Sequence, residues 1–157
     1  MRISVRHIIR LLSIWAALLS FAVACGEPVE NGTFVKQSER TPEAEYEFSV
    51  DLSDSLSRHA LYFYTVIDAS ADTFENMPGV IPLQVEAVSP SGRTYRETVG
   101  MDKNDYIGGS LHSKQYEHVY RSGFSPVEYG IWTVRIAVPG EERFPGLRGF
   151  GLRHVKI

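Results

Sequence analysis

One cysteine, Cys25, stands in 157 residues. That excludes an intramolecular disulfide framework and a cysteine-rich zinc site. A basic excess is also missing: sixteen Lys and Arg face nineteen Asp and Glu. The chain therefore lacks the basic stripe of a nucleic-acid binder. No segment keeps a 3.6-residue apolar period over an ordinary helix length, which argues against a helical domain. The single long apolar run is shorter than the roughly 18–20 residues that cross a bilayer as a helix. What is present is 43 % hydrophobic residues, ordinary for a chain that buries a core and too many for a disordered one. The length suits one domain plus an extension.

The extension is N-terminal. MRISVRHIIR carries Arg2, Arg6 and Arg10 and no acid, and LLSIWAALLSFAVA, from Leu11 to Ala24, is apolar apart from two serines. A charged segment followed by an apolar one of this length reads as a secretory signal peptide over residues 1–24. The small residues Ala22, Val23 and Ala24 lead directly into Cys25. A cleavage signal ending at cysteine resembles the lipobox of bacterial lipoproteins, with Ala22 where leucine is commonest. The resemblance implies that Cys25 is the lipidation site: its thiol is diacylated, the chain is cut before it, and the new amine is acylated. Each buried CH₂ of an acyl chain contributes about 0.8 kcal/mol, and more than one chain holds a protein stably. Cleavage would leave thirteen basic residues against nineteen acidic ones. So acidic a domain would not lie on anionic lipid by its own charge. The expected location is the cell envelope, with the membrane reached through the lipid anchor. Gly26 after the cysteine, rather than Asp, favours the outer membrane by analogy with other Gram-negative lipoproteins.

Residues 25–44 are polar, with Pro28, Asn31-Gly32 and Pro42, and read as a flexible tether. Asn31-Gly32-Thr33 matches a glycosylation sequon and is read as a turn. The short apolar pair Phe34-Val35 offers an edge strand. A domain over residues 45–157 follows. YEFSVDL sets Tyr46, Phe48, Val50 and Leu52 on one face of a half-buried strand. LYFYTVI (61–67) is continuous, aromatic and β-branched, the pattern of a central strand buried on both faces. IPLQVEAV (81–88) and RTYRETV (93–99) form a hairpin around the tight turn Ser89-Pro90-Ser91-Gly92. MDKNDYIGGSLHSKQ reads as a loop, YEHVYR as a weaker strand, IWTVRIAV (131–138) as a strong one, PGEERFPGLRG as a loop and FGLRHVKI as the last strand. Six to eight short strands at this spacing predict an all-β fold, an antiparallel β-sandwich of Ig-like or jelly-roll-like type.

Chemistry-bearing patterns are sparse. His59, His112, His118 and His154 show no metal-binding spacing and read as solvated strand and loop residues, so no metal or other cofactor is expected. There is no GxSxG or SxxK motif, and Ser125 in GFSPV reads as a turn residue before Pro126. Glu97, Asp102 and Asp105 lack the glycine and spacing of a calcium loop. Gly146, Gly149 and Gly151 precede a strand rather than a helix, against a phosphate cradle. Tyr62, Tyr64, Tyr95, Tyr106, Tyr116, Tyr120, Tyr129 and Trp132 fit core packing better than a sugar-stacking platform. No catalytic residue is assigned, and the chain is not expected to be an enzyme.

The lipobox, tether, SPSGRTY hairpin, YIGGSLHSKQYEHVYR, GIWTVRI and PGLRGFGLRHVKI, in that order, resemble the gliding motility lipoprotein H (GldH-like) family of Bacteroidetes. The likeness runs over nearly the whole chain, with Pro145-Gly146-Leu147 and Gly151-Leu152-Arg153 at the places of that family's closing motif. The loop PGEERFPGLRGFGLR is more compact than the family's usual one. The resemblance implies a cell-envelope lipoprotein that serves as an accessory or interaction component, as of gliding or secretion machinery, without catalytic residues. The expected partner is an envelope protein, met through a sheet edge or through the loops Asp102–Lys114 and Pro139–Gly149. The alternative is a glycan- or small-ligand-binding module. It requires Tyr106, Tyr116, Tyr120 and Tyr129 to share one open face.

Overall fold

The computed structural model describes residues 30–157, so the expected signal peptide and Cys25 lie outside the described residues. The described chain forms strands β1 (Glu30–Lys36), β2 (Tyr46–Asp51), β3 (His59–Asp68), β4 (Val80–Val88), β5 (Thr94–Asp102), β6 (Tyr106–Gly109), β7 (Ser113–Phe124), β8 (Ile131–Ala137) and β9 (Leu147–Lys156), with one short α-helix, α1 (Ala71–Asn76), and 3-10 turns at Gln37–Glu39 and Glu141–Arg143. One sheet has the order β1-β9-β3-β7-β6 and the other β2-β8-β4-β5, every pairing antiparallel. The fold is an all-β antiparallel sandwich.

Alternation along the strands builds its core. β2 buries Tyr46, Phe48 and Val50 and exposes Glu47, Ser49 and Asp51. Ile81, Leu83 and Val85 of β4 and Trp132, Val134 and Ile136 of β8 join them from the same sheet. Leu61, Phe63, Ile67, Phe150 and Leu152 pack down from the other. Each such side chain contributes about 1.5–3 kcal/mol by leaving water. The outer face of the four-stranded sheet is charged instead. Register places Glu47, Arg135, Glu86 and Arg96 side by side across its four strands, with ion-pair distances of 2.7, 2.9 and 2.6 Å along the row. Exposed pairs of this kind contribute at most about 1 kcal/mol each. Their main effect is to keep that face wet.

Four features differ from expectation. First, the edge strand offered at Phe34-Val35 extends over Glu30–Lys36 and pairs with β9, so this part of the expected tether belongs to the sheet, and Asn31-Gly32 lies inside a strand rather than in a turn. Pairing with the free edge of β9 supplies backbone partners that local composition does not reveal. Second, β3 is central, but only its inner face is fully buried. Tyr62, Tyr64 and Val66 are half-buried on the outer face, where among the described residues no second layer covers them. Third, the expected loop after β5 contains β6 and opens into the twelve-residue strand β7. Fourth, PGEERFPGLRG is a packed corner. Glu141 is 9 % exposed and accepts hydrogen bonds from Gln37 Nε2 at 2.6 Å, Arg40 at 3.0 Å and the Tyr46 hydroxyl at 3.1 Å. Burial and the adjacent carboxylate hold the Tyr46 hydroxyl well above its usual pKa.

Candidate functional site

The sandwich is open along one side. β6 pairs with β7 only across Lys114–Tyr116. Among the described residues the outer backbone edge of β7 has no strand beside it from Glu117 to Phe124, and β5 is one of the two edges of the opposite sheet. Edge strands present unpaired N–H and C=O groups that can template another strand. Between these two edges lies a mainly apolar cleft of about 280 Å³, floored by Val50, Leu61, Trp132 and Val134 and rimmed by Tyr95, Glu97, Tyr120 and Arg121.

The rim is built across the gap between sheets. Tyr120 on β7 stacks on Phe63, with ring centroids 4.4 Å apart. Its hydroxyl donates to Glu97 Oε1 on β5 at 2.6 Å, and Arg121 donates to the same oxygen. These bonds hold the Glu97 carboxylate below its usual pKa, the Arg121 bond being the largest cause. Burial, then the Glu97 bond, push the Tyr120 hydroxyl well above its own. The Arg121 guanidinium also lies 4.5 Å from the Tyr120 ring centroid. Tyr95 reaches Trp132 at 5.8 Å between centroids. The result is an apolar slot with aromatic walls and one neutralised charge pair at its lip. Such a slot suits extended apolar side chains better than a charged ligand.

At the end of the sandwich beyond this cleft, two histidines meet inside the core edge. His59 is 0 % and His154 4 % exposed. They were expected as solvated residues; neighbouring strands β3 and β9 instead bring them face to face. His59 Nε2 lies 3.0 Å from the Asp54 carbonyl oxygen and Nδ1 lies 2.9 Å from His154 Nε2. A carbonyl only accepts, so His59 carries its proton on Nε2 and His154 donates to Nδ1. One further proton fits on His154 Nδ1. A second would set two N–H groups against each other. Burial, then His59 and Lys156, hold the His154 pKa below its ordinary value, against the pull of Asp51.

The remaining sequence-predicted residues do not converge. His118 sits on β7 opposite Phe63, whereas the His112 carbonyl accepts from Ala69 N–H in the turn at the far end. Among the described residues no three His, Cys, Asp or Glu side chains form a metal-binding group. Glu97 is on the cleft rim, whereas the Asp102 carboxylate accepts from the Asn104 N–H of its own turn. The proposed tyrosine platform is not assembled. Tyr116 is 2 % exposed, Tyr106 packs edge-on against it, Tyr120 is in the cleft and Tyr129 lies in the loop after β7. Tyr62 lies under the Arg153 guanidinium at 4.1 Å, and the Tyr64 ring covers Gly151. Of the two candidate loops, Pro139–Gly149 is the packed corner around Glu141. Asp102–Lys114 exposes Ile107 and Leu111, but its Lys103 ammonium is spent on the carbonyls of Phe74, Glu75 and Met77 at 2.8–2.9 Å. The cleft itself was not read from the sequence. Its one signal is the inward row of β7, where Tyr120 follows Tyr116 and His118 at period two beside a short, glycine-rich neighbour strand.

No family model and no curated protein matches this chain. Among solved structures, dimeric latent PorU from Porphyromonas gingivalis is similar over 86 % of this chain and 13 % of its own length, at 10 % identity and a TM-score of 0.35. A structure of infectious bursal disease virus Gt strain is similar over 83 % of this chain and 35 % of its own, at 13 % identity and a TM-score of 0.19. The chain thus spans a minor part of either protein, and likenesses of this degree carry no functional argument.

Proposed function

We propose that this protein is a lipid-anchored, non-catalytic component of the cell envelope, held by acyl chains on Cys25, which grips an extended segment of an envelope protein along its open side. The observation that carries the reading is the cleft between β5 and β7. Two strand edges that are unpaired among the described residues flank an apolar slot there, so a partner strand would gain main-chain hydrogen bonds from an edge and specificity from alternate side chains entering the slot. The lipobox at Ala22–Cys25 and the ordered motifs of the GldH-like family support the envelope setting. They also make gliding or secretion machinery the natural class of assembly, and the outer membrane the natural site of attachment. Four of the buried or cleft-rim acid and histidine side chains have structural partners. Glu97 neutralises Arg121, Glu141 ties a corner, and His59 and His154 satisfy each other.

A photo-crosslinking residue in place of Tyr95, on the cleft rim, tests this in native envelopes. The expected result is one discrete adduct that is absent when the same residue replaces Lys36 on the opposite edge. Adducts that are equal at both positions, or absent at Tyr95, contradict the cleft as the docking site. Transfer of the label to a polysaccharide instead would favour the ligand-binding alternative.

A further inference from the structure

The described chain enters the sandwich at one particular end. Glu30 opens β1 opposite Val155, near the close of β9. The β2–β3 loop, the β7–β8 loop and the C-terminal residue gather at this same end. Leu52 N–H donates to the Gly130 carbonyl at 2.9 Å, and Arg58 and Ile157 exchange backbone hydrogen bonds at 3.1 and 2.8 Å. Three apolar side chains project from these segments: Leu56, 97 % exposed, Val127, 75 % and at the end of the cleft lining, and Ile157, 66 %. Single exposed apolar residues are ordinary. Three on adjoining segments, at the end where the tether arrives, call for a common cause.

We infer that this end faces the membrane, and that Leu56, Val127 and Ile157 rest at the headgroup–acyl boundary of the leaflet that holds the Cys25 lipid. The inference rests on the anchor reading above. Five Cα steps separate Cys25 from Glu30, so even a fully extended tether reaches at most about 18 Å. The opposite end, with Leu111, is a further strand length away, about 30 Å for a strand like β3. The short tether restricts the domain to orientations with its entry point near the lipid, and the apolar tips select one of them. Charge limits the depth. The Leu56 N–H, foremost, and the Ser57 hydroxyl pull the Asp54 carboxyl down to about 2, so it stays ionised two residues from Leu56. Lys156 lies 3.5 Å from it, the Arg58 guanidinium donates to the Gly123 carbonyl at 3.2 Å, and Glu128 lies 3.8 Å from Arg93. Burying these groups in hydrocarbon is costly, so the tips touch the boundary while the charges stay among the headgroups. The tips orient a domain that its lipid already holds.

The test uses the lipidated chain in phosphatidylethanolamine–phosphatidylglycerol vesicles that carry a doxyl-labelled lipid. Leu56→Trp is compared with Leu111→Trp, an exposed site at the opposite end, against the background of buried Trp132. The intact mass of each sample reports acylation. The expected result is that the Trp at position 56 shifts to the blue and loses most of its added emission to the quencher, whereas the Trp at position 111 keeps its own. An acylated protein with an unquenched position 56, or with both positions quenched alike, overturns the orientation and leaves the anchor standing. An unacylated protein overturns the anchor reading and this inference with it. If position 56 is shielded only when envelope proteins are added, the patch belongs to a protein partner and the lipid contact is refuted.

Discussion

Gly151 shows how one missing side chain sets local structure. A Cβ built there would meet the Tyr64 ring carbon Cζ at 2.0 Å, so the ring lies across the bare strand and shields it. Gly151→Ala should cost about 1–3 kcal/mol, the usual penalty for overpacking. In urea unfolding, most of that cost should disappear in the Tyr64→Ala background; an equal cost in both backgrounds would mean the ring is not the obstacle. Gly149 is constrained differently: it adopts φ +148° where a Cβ would strike the Val35 carbonyl, so β1 can lie close. The spaced glycines of GLRGFG are therefore packing devices rather than a phosphate cradle. The histidine pair yields a pH dependence. The folded pKa of His154 is depressed, whereas an unfolded histidine titrates near about 6.5. The unfolded chain therefore takes up the proton first as pH falls. The contribution of His154 is complete above the ordinary histidine range and is lost as pH drops through it. Asp51, Asp54, Glu86, Glu97 and Glu128 are all held below their usual pKa, so they weaken the fold only at more acidic pH. Stability should decline between pH 7 and 5 in the natural protein and less steeply in His154→Gln, which keeps a donor toward His59. An unchanged slope in that variant would assign the dependence elsewhere.

Among the elements, those whose sequence shows both faces of a strand were legible. β2, β4 and β8 alternate strictly, and β3 carries the aromatic, β-branched run of a central strand. β2, β4 and β8 occupy the places that their patterns imply, and β3 is central as its run implies, although its outer face is only half-buried. Elements defined by a neighbour rather than by their own pattern were less legible. β1 is polar and bears Asn31-Gly32, a turn signal in isolation, yet the open edge of β9 pairs it from Glu30 to Lys36. β6 is four residues long with two glycines and exists because β7 runs beside it. In hydrogen exchange, the β1 amides directed at β9 should be protected nearly as well as those of β9 itself. Exchange at the rate of a free chain would restore residues 30–36 to the tether. α1 was also missed. Its six residues are too few for a period, and it is held by the Ser70 cap at 3.2 Å and by Lys103 at its C-terminal end.

For the molecule as a whole, the two-layer architecture was legible in the spacing of the strands, whereas the cleft arises only from topology. Glu97 and Tyr120 are 23 residues apart on strands of different sheets, and no spacing rule links them. The His59–His154 contact is likewise set by the pairing of β3 with β9. The central claim, that a lipid on Cys25 fixes this sandwich to the envelope, is tested most directly by the intact mass of the membrane-fraction protein, beside Cys25→Ser. The expected mass is that of a chain beginning at Cys25 plus its acyl groups, with the variant uncleaved and without them. A chain cut elsewhere, or a Cys25→Ser protein of the same processed mass that is still membrane-bound, would contradict the claim.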